Sequence, residues 1–320
     1  MKKITVLFAL LLVFSLILPV AASAAEPDPV RVLTLNGTTG FGLAGLIVES
    51  QAGNTDLDYS FSVETDASNI TAALINGDCD IGALPTNAAA ALCKKTDGKV
   101  QVLALNTRGV LYVVTDGSVE IKSFADLDGQ TVFVPAQNPT FLFQALCDAN
   151  DVKVTIDNSY AQPAELNTAV TAGEIPIAVL PEPLLTVACA KNSDLKVVLD
   201  LTKEWDKVYT PDSLIQGCVV VRTEFAQKHP DVVAAFLDDY AASVQLLNDD
   251  PKKAAKCIED AGIFQSAAIA EKAIPRCNIC FITGEEMQEQ LSAFYDILVN
   301  VAPQSIGGTV PGDDFYCILK

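Results

Sequence analysis

The chain has 320 residues, half of them apolar and 19% charged, which is enough for two compact lobes with their own cores and too apolar for a disordered chain. Forty acidic side chains against 21 basic ones leave a net charge of −19, so nucleic acid and anionic lipid are poor partners. Residues 1–25 read as a secretory signal: Lys2 and Lys3, an apolar run from Ile4 to Val20, and Ala22-Ser23-Ala24-Ala25 ahead of Glu26. An uncleaved membrane anchor is the alternative reading of that run. No Cys follows it before Cys79, so the expected product is a free exported protein, periplasmic or at the outer face of the cytoplasmic membrane, without a lipid anchor.

Beyond the signal, short apolar runs rich in β-branched residues alternate with stretches of helical spacing. Strands are expected at residues 30–35, 59–63, 80–84 and 100–105, with helices at 41–50, 68–76 and 87–95 between them. The pattern restarts after Gly129, with strands near 131–134, 152–156, 177–180 and 195–199. A further strand at 217–221 leads into helices at 231–247, 251–261, 266–274 and 284–301. Such alternation predicts an α/β fold whose lobes each hold a mainly parallel sheet flanked by helices. The chain is expected to cross between lobes near 113–122 and to return near 214–222. Residues 26–115 and 218–320 then form lobe one, residues 116–217 lobe two, and the two crossings a hinge.

The restart also shows in single residues. At a constant offset of 96, Gly77 meets Gly173, Ile81 meets Ile177, Leu84-Pro85 meets Leu180-Pro181, and Cys93 meets Cys189. Convergence on a common βα pattern would produce the same matches. Each half therefore carries two strand-to-helix turns, at residues 36–40 and 85–87 in the first and at 136–140 and 181–183 in the second. Ligands of open α/β sheets bind at the carboxyl ends of strands, and the helices that follow offer unpaired N–H groups there.

The nine Cys are odd in number and mostly stand singly in apolar stretches, as small buried hydrophobes do. Cys277-Asn278-Ile279-Cys280 has half-zinc or redox spacing, but a zinc site needs four ligands and the one His, His229, lies in a Lys-His-Pro segment. A local disulfide or a pair of packed thiols is the plainer reading. None of the Ser residues stands in a nucleophile elbow and no positioned base accompanies one, so neither catalysis, metal nor cofactor is expected.

Several segments resemble periplasmic-type binding proteins of ABC importers, in the branch handling aliphatic sulfonates, nitrate and thiamine-precursor pyrimidines. They are Asn76-Gly77-Asp78-Cys79-Asp80-Ile81-Gly82 with Leu84-Pro85-Thr86-Asn87, and Ser123-Phe124-Ala125-Asp126-Leu127-Asp128-Gly129-Gln130. Glu182-Pro183, Val219-Val220-Val221-Arg222-Thr223-Glu224-Phe225-Ala226 and His229-Pro230 complete the set. The resemblance implies a two-lobed periplasmic-binding-protein fold of type II, a small-molecule ligand between the lobes, a membrane permease as partner, and a monomer without catalysis. An enzymatic relative of this fold, a self-consuming pyrimidine synthase, carries neighbouring Cys and an active-site His, from which this sequence departs. A ligand sensor without transport is a further alternative.

Candidate ligand contacts follow from the four turns. Thr38, Thr39 and Gly40 precede Phe41, and Gln137, Asn138 and Thr140 precede Phe141, supplying hydroxyls, amides and backbone donors. Thr86 and Asn87 come from the turn at residues 85–87. Ordinary N-capping would explain any one of these residues alone. Glu182, held between Pro181 and Pro183, is either a solvated carboxylate or an acceptor for an amino group or protonated ring nitrogen. Trp205 and Tyr209 could close over a flat ligand, with Tyr112 as another wall, unless they serve in packing. No Lys or Arg falls within the turns, although neutral donors can still hold an anion. Glu182 with Phe41, Phe141 and Trp205 favours a neutral or cationic nitrogen heterocycle over a sulfonate or nitrate.

Overall fold

The computed structural model describes residues 28–319, so the expected signal segment lies outside the described residues. Chain order runs β1 (Val30–Leu35), α1 (Thr38–Phe41), α2 (Ala44–Gln51), β2 (Tyr59–Glu64), α3 (Ala67–Asn76), β3 (Ile81–Pro85), α4 (Thr86–Thr96) and β4 (Val100–Arg108). It continues as β5 (Leu111–Thr115), β6 (Thr131–Phe133), α5 (Asn138–Ala149), β7 (Thr155–Asp157), α6 (Pro163–Thr171), β8 (Ile177–Pro181), α7 (Leu184–Lys191), β9 (Lys196–Asp200) and α8 (Leu201–Val208). The last part is β10 (Ile215–Arg222), α9 (Thr223–Lys228), α10 (Pro230–Asp249), α11 (Pro251–Asp260), α12 (Ala267–Ala273), β11 (Ile279–Ile282) and α13 (Gly284–Val301).

These strands form two mixed sheets, one ordered β11-β4-β10-β3-β1-β2 and the other β7-β6-β8-β5-β9. Read from the edge strands β2 and β7, the orders β2-β1-β3-β10-β4 and β7-β6-β8-β5-β9 are one arrangement used twice, with β11 added at the far edge of the first. In each, the fourth strand is the one that arrives from the other lobe, and it pairs antiparallel on both sides: β10 with β3 and β4, β5 with β8 and β9. The offset of 96 read from the sequence superimposes β3 on β8 from first residue to last.

Local chemistry accounts for the ends of the elements. Asp66 caps α3 by accepting from Ser68 N, and Gly77 ends it in the left-handed conformation at φ 80°. Asp250 and Ser266 cap α11 and α12 through Lys253 N and Ile269 N. Pro stands in the first turn of α5, α6, α10 and α11, where its missing N–H costs nothing. Alternation then builds the layers: Cys218 and Val220 of β10 enter the core beneath α13, while Val219 and Val221 enter the core beneath α10 and α11. Each such side chain contributes about 1.5–3 kcal/mol on burial.

Several boundaries differ from expectation. The chain leaves the first sheet at residues 109–110, so β5 lies wholly in the second sheet, and it returns at residues 209–214, so β10 lies wholly in the first. The break falls at the polar stretch Asn106-Thr107-Arg108-Gly109, and Gly109 is tightly packed there: a Cβ would stand 2.1 Å from Thr202 Oγ1 and 2.6 Å from Leu214 Cδ2. The helix expected over 41–50 is divided at residues 42–43, and the strand expected over 152–156 shifts to Thr155–Asp157. Helix α8 and strand β11 had no counterpart in the sequence reading.

Candidate functional site

All four turns stand at the carboxyl ends of β1, β3, β6 and β8. In the second, β3 ends at Pro85 and α4 begins at the next residue, because proline cannot extend the ladder yet suits the residue before a helix. Thr86 is buried and committed to the fold: its Oγ1 donates to Ile215 O at 2.7 Å, and its carbonyl accepts from Tyr295 OH at 2.8 Å. Asn87 is half-buried, and its Oδ1 is shielded from solvent without a partner among the described residues.

In the second lobe Gln137 takes φ 64° and is exposed, which aims the start of α5. Asn138 follows at the first helical position, and its Oδ1 is also shielded and unpartnered. Thr140 is spent within the turn, donating to Pro135 O at 2.8 Å and accepting from Asn158 Nδ2 at 2.8 Å. Phe141 is half-buried against the shared core.

Thr38 and Thr39 are half-buried, and Thr39 O accepts from Asn106 Nδ2 at 3.1 Å. Gly40 is required where it is, since a Cβ would fall 2.2 Å from Leu35 O. Just beneath, the buried Thr34 Oγ1 has no partner among the described residues, a group the sequence reading missed because Thr34 continues the alternation of β1. A buried polar atom left unpaired costs about 1–3 kcal/mol; eight such atoms occur among the described residues, and Thr34, Asn87 and Asn138 are the three that stand at or beside the strand-end turns.

Three expected walls belong to the core instead. Phe41 is fully buried, with its ring 6.4 Å from that of Phe264. Trp205 is fully buried between Tyr209 and Phe294, and its Nε1 donates to Ser213 Oγ at 2.9 Å. Tyr209 is pinned by its OH to Ala145 O at 2.9 Å. The apolar face of α8, started by Asp200 accepting from Thr202 N and Lys203 N, carries Trp205 inward, and Tyr209 at its C-cap packs against that ring, so neither can close over a ligand.

Glu182 differs from expectation in another way. Its peptide bond to Pro183 is cis, its side chain is fully buried, and it accepts from Thr186 N, Thr186 Oγ1 and Arg276 Nε. Arg276 comes from the segment between α12 and β11, and no signal near residues 181–183 could have announced it. Burial lowers the Arg276 guanidinium while the bond and charge of Glu182 raise it, and the net direction is upward, toward a permanent cation.

The nine Cys are all free thiols, six of them buried, and Cys277 and Cys280 are not joined. Burial pushes Cys79, Cys147 and Cys280 up to about 12, which makes them packing groups and poor nucleophiles.

A family model described as NMT1/THI5 like matches residues 44–254. Among solved structures, one described as an ABC transporter from Parabacteroides distasonis is 24% identical with a TM-score of 0.77, covering 92% of this chain and 100% of that one. The periplasmic aliphatic sulphonate binding protein SsuA of Escherichia coli is 14% identical with a TM-score of 0.69, covering 92% and 94%. The ligand binding component of an ABC-type import system from Staphylococcus aureus, with zinc bound, is 15% identical with a TM-score of 0.65, covering 91% and 97%. At these identities the likeness shows a shared fold. No curated protein matches the sequence.

Proposed function

This chain belongs to the NMT1/THI5-like family, and on that premise we propose that it is an extracytoplasmic solute-binding protein of an ABC importer. It captures a small polar solute between its lobes as a monomer and delivers it to a membrane permease without altering it. The observation that carries this reading is the pair Asn87 and Asn138, one from each lobe, each at the start of a helix that follows a strand end and each with a shielded, unpartnered amide oxygen. Donors on a solute bridging the lobes would satisfy both at once. With Phe41 and Trp205 in the core, the support for a flat heterocycle falls away, and hydrogen bonding to neutral groups sets the preference.

A thermal-shift screen of the exported protein against sulfonates, pyrimidines, vitamins and amino acids tests this reading. A ligand at 100 times its dissociation constant raises stability by about 2.7 kcal/mol. Asn87→Ala and Asn138→Ala should each weaken the same ligand about threefold to tenfold with little change in melting temperature. Recovery of a chemically altered ligand, or loss of affinity from neither variant, would overturn it.

A further inference from the structure

At the turn that follows β8, a carboxylate of one lobe is paired with a guanidinium of the other. Glu182 sits beside the first crossing, its N–H donating to Val110 O at 3.0 Å. Its side chain has no exposed surface, whereas that of Arg276 is 39% exposed. Arg276 Nε donates to Glu182 Oε1 at 2.5 Å and Nη2 to Thr186 Oγ1 at 2.7 Å, while Thr186 Oγ1 donates to Glu182 Oε1 at 3.0 Å and Thr186 N to Oε2 at 3.1 Å. The carbonyl of Arg276 accepts from Tyr112 OH at 2.8 Å. Its outer side opens on a surface crevice of about 550 Å³, lined also by Tyr112, Asp200 and Lys203.

We propose that Glu182 and Thr186 form a guanidinium site on the second lobe and that Arg276 occupies it as a specificity determinant, removing cationic solutes from those the clamp accepts. The physical case rests on competition. A buried carboxylate requires a cation with hydrogen bonds, and a tethered one acts at an effective concentration of about millimolar or more, which a free cation must exceed. Guanidinium matches the site because its fork reaches a carboxylate and a hydroxyl together. The consequence for solutes rests on the binding reading above; the site itself does not.

The test uses methylguanidinium chloride as probe, with calorimetric titration of the full chain in wild-type, Arg276→Ala, Arg276→Gln and Glu182→Gln/Arg276→Ala forms, matched for chloride. Arg276→Ala should bind the probe at least tenfold more tightly than wild type, with a rise in melting temperature that wild type lacks, and the double variant should lose this gain. Equal binding by wild type and a folded Arg276→Ala, or undiminished binding by the double variant, overturns the site. If Arg276→Ala folds only when methylguanidinium is supplied, and not with tetramethylammonium, that rescue is the expected result. Absence of rescue, with a folded Arg276→Gln binding no better than wild type, overturns it as well. A solute screen that fails while the probe still binds Arg276→Ala would remove the transport reading and leave the site standing.

Discussion

Thr86 and Glu182 occupy the same place in the two halves, the first residue after the matching strands β3 and β8. Both are buried, and both tie their turn to the strand arriving from the other lobe: Thr86 Oγ1 donates to Ile215 O, and Glu182 N donates to Val110 O. In the first lobe a neutral hydroxyl completes the task with a carbonyl of its own sheet, although that carbonyl lies 129 residues on. In the second the residue is an anion, and it requires a counter-ion from 94 residues away in the other lobe. A repeated backbone position thus demands a polar group in both halves, whereas its charge decides whether the lobe is electrostatically self-sufficient.

The sharpest way to break this comparison is to remove the counter-ion. Arg276→Met should cost about 3 kcal/mol in chemical denaturation, at the low end for a broken buried pair because Arg276 is 39% exposed. Glu182→Leu/Arg276→Met should recover most of that loss, since no buried charge remains.

A second contrast concerns Asp80, 4% exposed at the start of β3, which accepts from Arg31 and Arg222, while the matching position before β8 is Pro176. Asp80→Asn should cost about 2 kcal/mol. Burial raises the Asp80 carboxyl, but the two guanidiniums outweigh it and hold it below its usual value of 3.8. Its folded value being depressed, its contribution is complete above the unfolded value and is lost as pH falls through the folded one. Denaturation curves below about pH 4 should therefore fall more steeply for wild type than for Asp80→Asn.

Close packing at and beside the crossings supplies the next test. Gly109 at the first crossing and Gly217 within β10, just after the second, are both closely packed, with a Cβ at 2.1 Å from Thr202 Oγ1 in one case and at 2.4 Å from Asn106 Oδ1 in the other. Gly109→Ala and Gly217→Ala should each cost about 1.5 kcal/mol by overpacking, and a cost confined to one of them would show that the crossing and the strand after the return do not pack with equal tightness. The smallest effect is expected for Thr86→Val, about 1 kcal/mol for the lost bond to Ile215 O, read as a shift in denaturation midpoint.

The α/β class, the repeat of 96 residues, most strands and the turns at their ends were legible in the sequence, because alternation, proline at strand ends and helix caps act among near neighbours. Thr38, Thr39, Asn87, Gln137 and Asn138 were legible as turn residues for the same reason. Tertiary structure alone decided where the chain crosses, since the apolar segments on either side of Asn106-Thr107-Arg108-Gly109 could serve either sheet until Gly109 meets Thr202 and Leu214. It alone placed Trp205 and Phe41 in the core, because an aromatic ring near a turn faces inward or outward according to what packs against it. And it alone gave Glu182 its partner: an ion pair depends on a distance in space, and Arg276 lies 94 residues and eight elements along the chain, in the other lobe, from anything that residues 181–183 could indicate.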